Sequence, residues 1–186
     1  IDTLVFVKRT MVNRNKFITT SHLRHSKGIQ DLIQAVSVLE NDIKSQIQID
    51  IYGEGPYENQ LVEMTQALNL NSIIHFKGST SKLNELYANY GYLVQPSHEE
   101  TFCYSVIESL VSNLPVITTH EAGNVLSLIE QNKNGFLYNA GNFQQLAEIL
   151  KNIVVGYCVI DKEVSTEIVE KFNLEKMVEE HIQLLK

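Results

Sequence analysis

Basic residues are scarce in this chain: 15 Lys and Arg against 22 Asp and Glu leave a formal net charge of −7. A protein that takes a polynucleotide as its ligand normally presents a basic face, so this balance argues against nucleic acid as a substrate, and any anion the chain binds must be met by a local site. Cysteine is nearly absent. Cys103 and Cys158 form no metal or redox spacing and are too few for a disulfide framework, so both read as small residues in or near the core. The histidines His22, His25, His75, His98, His120 and His181 show no pairing that resembles a zinc motif. No apolar run has transmembrane length, no stretch reads as a signal peptide, and no repeat or low-complexity segment interrupts the 186 residues.

What is present is ordinary globular material, 44% hydrophobic and 20% charged, in a length that can bury the core of one domain. Short apolar segments at 17–21, 47–52 and 91–95 read as strands, and another apolar run follows Asn113. Between them lie helical stretches: 29–40, with Ile29, Leu32, Ile33, Val36 and Leu39 in one apolar stripe, then a segment from Gly53-Glu54-Gly55-Pro56 to about 68, and 101–113. This alternation predicts an α/β fold, a doubly wound Rossmann-like parallel sheet with helices on both faces. In the strand order 3-2-1-4-5-6 the ligand crevice opens between the first and fourth strands, where the loops 21–27 and 95–102 would converge.

The second of those loops carries the most chemistry. Pro96-Ser97 stops a strand, and a helix predicted over 101–113 puts Glu100 at its start and Glu108 eight residues on. At ~100° per residue the two carboxylates would face within ~80° of each other, roughly 12 Å apart along the axis. Between them the free N–H groups near Thr101, Phe102 and Cys103 would offer the positive end of the helix to a phosphate. Carboxylate, amide cradle and carboxylate together suit a sugar, a diphosphate and a ribose.

These residues resemble the Glu, seven residues, Glu signature of retaining glycosyltransferases of family 4, enzymes of the two-domain GT-B fold. Pro96, Ser97, Glu100, Phe102 and Glu108 match; Thr101 and Cys103 depart from the family's usual glycines. The loop His22-Leu23-Arg24-His25-Ser26-Lys27-Gly28 resembles the family's phosphate loop, with Leu23, Lys27 and Gly28 matching and Ser21 and His22 standing where Gly and Arg are usual. Gly53-Glu54-Gly55-Pro56 resembles the family's Gly-x-Gly-Pro near the donor. Ile73 to Gly78, Leu114 to Thr119 and Asn134 to Tyr138 resemble its third strand, the strand after the acidic helix and its last strand, and Leu83 to Tyr90 resembles its short helix before the signature strand. Gly123 to Glu130 is similar to its Gly-Gly-x-Pro-Glu loop, departing at Asn124 and Ser127. The resemblance implies the C-terminal, donor-binding half of a GT-B enzyme, moving a sugar from a nucleoside-diphosphate sugar to a saccharide or lipid-linked acceptor in glycan synthesis, with no metal or other cofactor. Glu100 and Lys27 would act at the reacting centre. His22, Arg24, Lys27 and the backbone from Thr101 and Phe102 to Cys103 and Tyr104 would meet the diphosphate, with Gly53 beside the donor. Glu100 would bind sugar hydroxyls and Glu108 the ribose. His22 can donate to phosphate as imidazolium or as a neutral tautomer, and Arg24 can supply the positive charge instead. A sugar phosphorylase or synthase on the same fold, or a non-catalytic half of a split transferase, is the alternative.

Ile1-Asp2-Thr3 followed by Phe6 resembles the family's interdomain linker, so residues 1–16 are expected to lead into a domain over 17–186, with an acceptor-binding N-terminal domain as the missing partner. The same resemblance implies a cytoplasmic enzyme, with the full-length protein peripheral to the inner face of a membrane. Residues 163–186 read as an amphipathic helix packing across the domain. Tyr87, Tyr90 and Tyr92 are expected to pack the sheet edge, Ser105 to lie inside a helix, and His98 to occupy either the cleft rim or a surface loop.

Overall fold

The computed structural model describes residues 5–10, 13–121, 123 and 126–165. Among them six strands, β1 (Lys16–Thr20), β2 (Gln48–Tyr52), β3 (Ile74–Gly78), β4 (Tyr92–Gln95), β5 (Val116–Thr119) and β6 (Gly135–Tyr138), form one sheet in the order β3-β2-β1-β4-β5-β6, every pair parallel. This is the doubly wound order expected from the alternation. Successive side chains on a strand point to opposite faces. Phe17 and Ile18, Leu93 and Val94, and Val116 and Ile117 are nevertheless all fully buried, so the middle of the sheet is covered on both sides.

Among the described residues six helices supply that cover: α1 (Ile29–Ser37), α2 (Asn41–Lys44), α3 (Glu58–Ala67), α4 (Leu83–Leu86), α5 (Tyr104–Val111) and α6 (Phe143–Val154). Helix α1 packs against α3 and α6, while α5 packs against β4 and β5. From β1 the chain steps to β2 on one side, and from β4 it steps to β5 on the other. Right-handed crossovers therefore put α1 and α5 on opposite faces.

Several boundaries move. The helix expected over 29–40 ends at Ser37, whose carbonyl accepts a 2.6 Å bond from Lys44 Nζ of the separate turn α2. Sequence reasoning misses α2 and α6 altogether. Tyr87, Tyr90 and Tyr92 are not at an edge: β4 lies between β1 and β5, and the three rings are 0%, 2% and 1% exposed. The first strand takes in Lys16. The linker-like residues 1–3, position 124 and all of 166–186, with most of the amphipathic segment, lie outside the described residues.

At the end of the sheet where the strands begin, Arg9 is buried. Its Nε donates to the Asn113 carbonyl at 3.0 Å, Nη1 to Gly91 at 3.0 Å and Nη2 to Ile160 at 3.3 Å. Asn113 returns a bond from Nδ2 to the Arg9 carbonyl. The lead-in segment is thus docked on the domain by groups from three distant parts of the chain.

Candidate functional site

Parallel strands bring all their C-terminal ends to one edge of the sheet, and the two loops read from the sequence meet there. Gly28, at φ +67°, lets the loop after β1 lie against the loop after β4: a Cβ there would sit 1.8 Å from the Pro96 carbonyl oxygen. Gly53, at φ +127°, does the same for the loop after β2, where a Cβ would sit 1.8 Å from the Ser21 oxygen. Between these seams lies a cleft with two compartments. The wider one, about 700 Å³, runs past Tyr52, Gly53, Glu54, Ser79 and Glu108; the narrower, about 200 Å³, reaches Lys27, Gln95, Glu100, Phe102 and Cys103. Thr20, Ser21, His22, Tyr104 and Ser105 line both.

In the narrow compartment Lys27 Nζ donates to Glu100 Oε1 at 2.6 Å, and Ser97 Oγ donates to the same oxygen at 3.1 Å. A second tie runs between the same loops, from the His98 amide to the Ser26 carbonyl at 2.8 Å. Cys103 is buried in the compartment wall. Burial, reinforced by the nearby Glu100 charge, pushes its thiol up to about 12, which leaves it a neutral wall residue at ordinary pH.

In the wide compartment Glu108 projects from α5, and the buried Tyr87 hydroxyl donates to its Oε2 at 3.0 Å. Because Tyr87 spends its one proton there, the 3.0 Å contact between Tyr87 and Thr20 Oγ1 must run from the threonine to the phenol oxygen. Burial, together with the adjacent carboxylate, holds the Tyr87 phenol well above its ordinary range, so it remains a donor. Sequence reasoning does not find this role for Tyr87, since a buried tyrosine reads as packing until its hydroxyl's partner is known.

The structure corrects the start of the acidic helix. Phe102 forms an antiparallel bridge with Gly123, and Cys103 stays extended at φ −101°, ψ 95°, so α5 begins only at Tyr104. The tertiary bridge holds open residues whose composition suits a helix. Glu100 and Glu108 therefore do not share a helix, the 12 Å axial spacing does not apply, and the amides of the helix start run from the N-cap Cys103 to Tyr104 and Ser105, with Thr101 and Phe102 outside it.

Of the residues singled out from the sequence, Lys27, Glu100, Phe102 and Cys103 line the narrow compartment, Gly53 and Glu108 the wide one, and His22 and Tyr104 both. Arg24 and Thr101 are exposed and line neither. His98 lies outside both, its Nε2 2.5 Å from Asp31 Oδ2. Ser105 does lie inside the helix, in its first turn, yet it borders the cleft, with its hydroxyl donated to the Thr20 carbonyl. Gln95 is a lining residue that sequence reasoning missed, because the last residue of a buried strand carries no signal of its own. Among the described residues no helix is long and apolar enough to cross a membrane.

The chain resembles known proteins in sequence and in fold. The chain is 26% identical over 157 residues to a poly(ribitol-phosphate) alpha-N-acetylglucosaminyltransferase of Staphylococcus aureus, covering 83% of this chain and 32% of that protein. It is 30% identical over 142 residues to the GtfA subunit of a UDP-N-acetylglucosamine–peptide N-acetylglucosaminyltransferase of Streptococcus agalactiae, covering 75% and 28%. The chain thus spans about a third of the length of these curated relatives. Among solved structures, Anabaena Alr3699/HepE in complex with UDP-glucose superposes with a TM-score of 0.85 at 19% identity, over all of this chain and 55% of that one. The C-terminal domain of the Francisella tularensis group 1 glycosyl transferase LpcC superposes at 0.77 and 22% identity, over 92% and 97%. The sequence profile of the glycosyl transferases group 1 matches residues 2–181, and the chain belongs to that family.

Proposed function

We propose that this chain is the donor-binding half of a retaining glycosyltransferase of family 4, acting on a nucleoside-diphosphate sugar in glycan synthesis. The observation that carries the reading is the convergence of Lys27, Glu100 and Glu108, from two separately matched motifs, on one cleft at the point where the strand order reverses. The wide compartment suits the nucleoside: Tyr87 occupies Oε2 of Glu108, which leaves Oε1 to accept from ribose hydroxyls. The diphosphate would lie at the shared wall, met by Lys27, by His22 and by the first amides of α5 at Tyr104 and Ser105. Arg24 has the weaker claim as a phosphate ligand, since it lines neither compartment. Glu100 would orient the sugar.

In this reading the chain's part in the reaction is electrostatic. Lys27 and the helix amides stabilise charge that grows on the leaving diphosphate, and they are in position before the reaction begins. Donation from Ser97 holds Glu100 in register when Lys27 turns to the phosphate. Relatives and structural neighbours whose names and complexes mention UDP or UDP sugars favour a uridine donor. The match over 97% of a C-terminal domain, beside a match over a third of whole relatives, supports the idea that the acceptor site is formed by another domain, as in a two-domain enzyme. An enzyme of this kind would work in the cytoplasm beside the membrane that holds a lipid-linked acceptor.

Calorimetric titration with nucleoside diphosphates tests the proposal. One of them should bind, and Lys27→Ala and Glu108→Ala should each weaken it by ~1.5–3 kcal/mol, the range for a hydrogen bond to a charged group. Absence of binding, or unchanged affinity in both variants, overturns it.

A further inference from the structure

Buried polar atoms are nearly always paired, so the exceptions are informative. Two of the exceptions among the described residues, Ser21 Oγ and Gln95 Oε1, belong to residues lining the narrow compartment. Gln95 is the sharper case. The residue is 1% exposed, its backbone carbonyl is held by Thr118 Oγ1 at 2.9 Å, and its amide oxygen has no partner.

The orientation of that amide follows from the bonds around it. Lys27 and Ser97 both donate to Glu100 Oε1, so the single proton of the Ser97 hydroxyl is already used. Ser97 Oγ can then only accept from Gln95, and it does so from Nε2 at 3.1 Å. Turning the amide over would either set an acceptor against an acceptor or draw the Ser97 proton away from Glu100. The hydrogen-bond chain Gln95–Ser97–Glu100–Lys27 therefore keeps Oε1 on the side away from Ser97, as an acceptor that none of the described residues satisfies.

The chemistry of such a group selects its ligand. A phosphate oxygen is itself an acceptor and would be repelled, whereas a hydroxyl or an amide N–H completes it. Burial raises the stakes, because an acceptor left unpaired in the interior costs more than one at the surface. We propose that Gln95 is a specificity-determining residue whose Oε1 accepts a hydrogen bond from a hydroxyl of the donor sugar, a different hydroxyl from the one bound by Glu100. This rests on the donor-binding reading above. It adds a contact from a residue outside the matched motifs, and it assigns a buried polar position of the narrow compartment to sugar rather than diphosphate.

The test compares UDP-glucose, UDP-N-acetylglucosamine and GDP-mannose with UDP and GDP by calorimetry, in the unaltered chain, in Gln95→Met and in Glu100→Gln. Analogues of the tightest sugar nucleotide lacking one hydroxyl each complete the set. In the unaltered chain, removal of one particular hydroxyl should cost about tenfold in affinity, the scale of one buried hydrogen bond. Gln95→Met should bind the free nucleoside diphosphate as before, which also shows that the site is folded. It should bind the sugar nucleotide about tenfold more weakly and become indifferent to that hydroxyl. Glu100→Gln should lose its dependence on another. Should no single hydroxyl matter in the unaltered chain, or should Gln95→Met weaken free diphosphate and sugar nucleotide equally, the inference falls while the donor reading stands. It falls likewise if Gln95→Met and Glu100→Gln become indifferent to the same hydroxyl, since Gln95 would then act only through Glu100. If none of the five nucleotides binds the unaltered chain, the donor reading falls and takes the inference with it.

Discussion

Glu100 and Glu108 stand eight residues apart and line one cleft, yet the narrow side holds its carboxylate with a lysine cation and the wide side with a neutral phenol. The difference follows from where each is mounted. Glu100 sits in a loop with no helix to aim it, and the ion pair to Lys27 with the bond from Ser97 supplies the missing constraint. Glu108 is already aimed by α5 and needs only one contact to settle its side chain. The carboxylate on the loop is thus held by an ion pair and a hydroxyl, and the one on the helix by a single phenol. In the proposed reading the loop arrangement has a functional side as well: a cation released from Glu100 would be at once available to an incoming anion, whereas Tyr87 has nothing comparable to offer.

The largest effects should come from the seams that make both compartments possible. Gly28→Ala imposes a side chain at φ +67° and drives its Cβ into the Pro96 carbonyl, a backbone atom that cannot step aside. Gly53→Ala does the same against Ser21. Each should cost about 3 kcal/mol or more in urea unfolding, the left-handed conformation alone accounting for ~1–2 kcal/mol. A loss below about 1 kcal/mol in either variant would mean that the two loops are not held as tightly as described.

Truncating the carboxylates themselves should separate the two sides by degree. Glu100→Ala leaves the partly buried Lys27 ammonium without its partner and should cost about 1–3 kcal/mol of stability. Glu108→Ala deprives only a neutral hydroxyl that can turn to Thr20, for a cost of about 0.5–1.5 kcal/mol. Equal urea midpoints for the two variants, at unchanged m-values, would erase the contrast between charge-held and phenol-held sides.

Alkali should act on both walls together. Cys103 on the narrow side and Tyr87 on the wide side have folded-state pKa values raised above their unfolded ones, as do Tyr90 and Tyr138 in the core. For an acid whose folded pKa is raised, the stabilisation is complete below the unfolded value and is lost as pH climbs past it. The melting temperature should therefore hold up to about pH 8.5 and then fall progressively through about pH 9 to 11, as the unfolded chain's thiols and phenols ionise first. Tyrosinate absorbance in the near ultraviolet from the buried rings should rise only together with loss of the fold. Early titration of all the tyrosines without unfolding would contradict their burial.

The smallest effect is a reactivity difference. At about pH 8, just below the ordinary thiol pKa, iodoacetamide should modify the half-buried Cys158 while leaving the buried neutral Cys103 untouched, as mass mapping of the labelled peptides would reveal. Nucleoside diphosphate should not alter that pattern. Prompt labelling of Cys103 in the folded protein would mean that the narrow compartment opens further than its lining suggests.

How far these features can be read from sequence depends on whether their cause is local. The six strands and their order are legible, because apolar runs such as 47–52 and 114–119 and the punctuation at Gly53 and Pro115 are written in adjacent residues. The meeting of the loops at Lys27 and Glu100 follows from that order. The start of α5 is not legible, since it is decided by Phe102 bridging to Gly123, far along the chain. Tyr87 and Gln95 are illegible for a related reason: a tyrosine or glutamine in a buried stretch looks like filling, and its role emerges only once the partner of its polar atom is known. Helix α6 is missed although it is amphipathic, because no matched motif draws attention to it.

Arg9 has a consequence for the order in which the chain assembles. Its three acceptors lie 82, 104 and 151 residues along the sequence, so every bond it makes closes a long loop. Contacts of that span form late, after shorter-range pairing has met the entropic cost of bringing the chain together. Gly91 and Asn113 become neighbours only when β4 and α5 have docked, and Ile160 joins them only after α6 has returned across the sheet. Until then the guanidinium is better solvated by water than by an incomplete set of carbonyls. The lead-in segment is therefore tied to a set of carbonyls that only the assembled later strands and helices bring together.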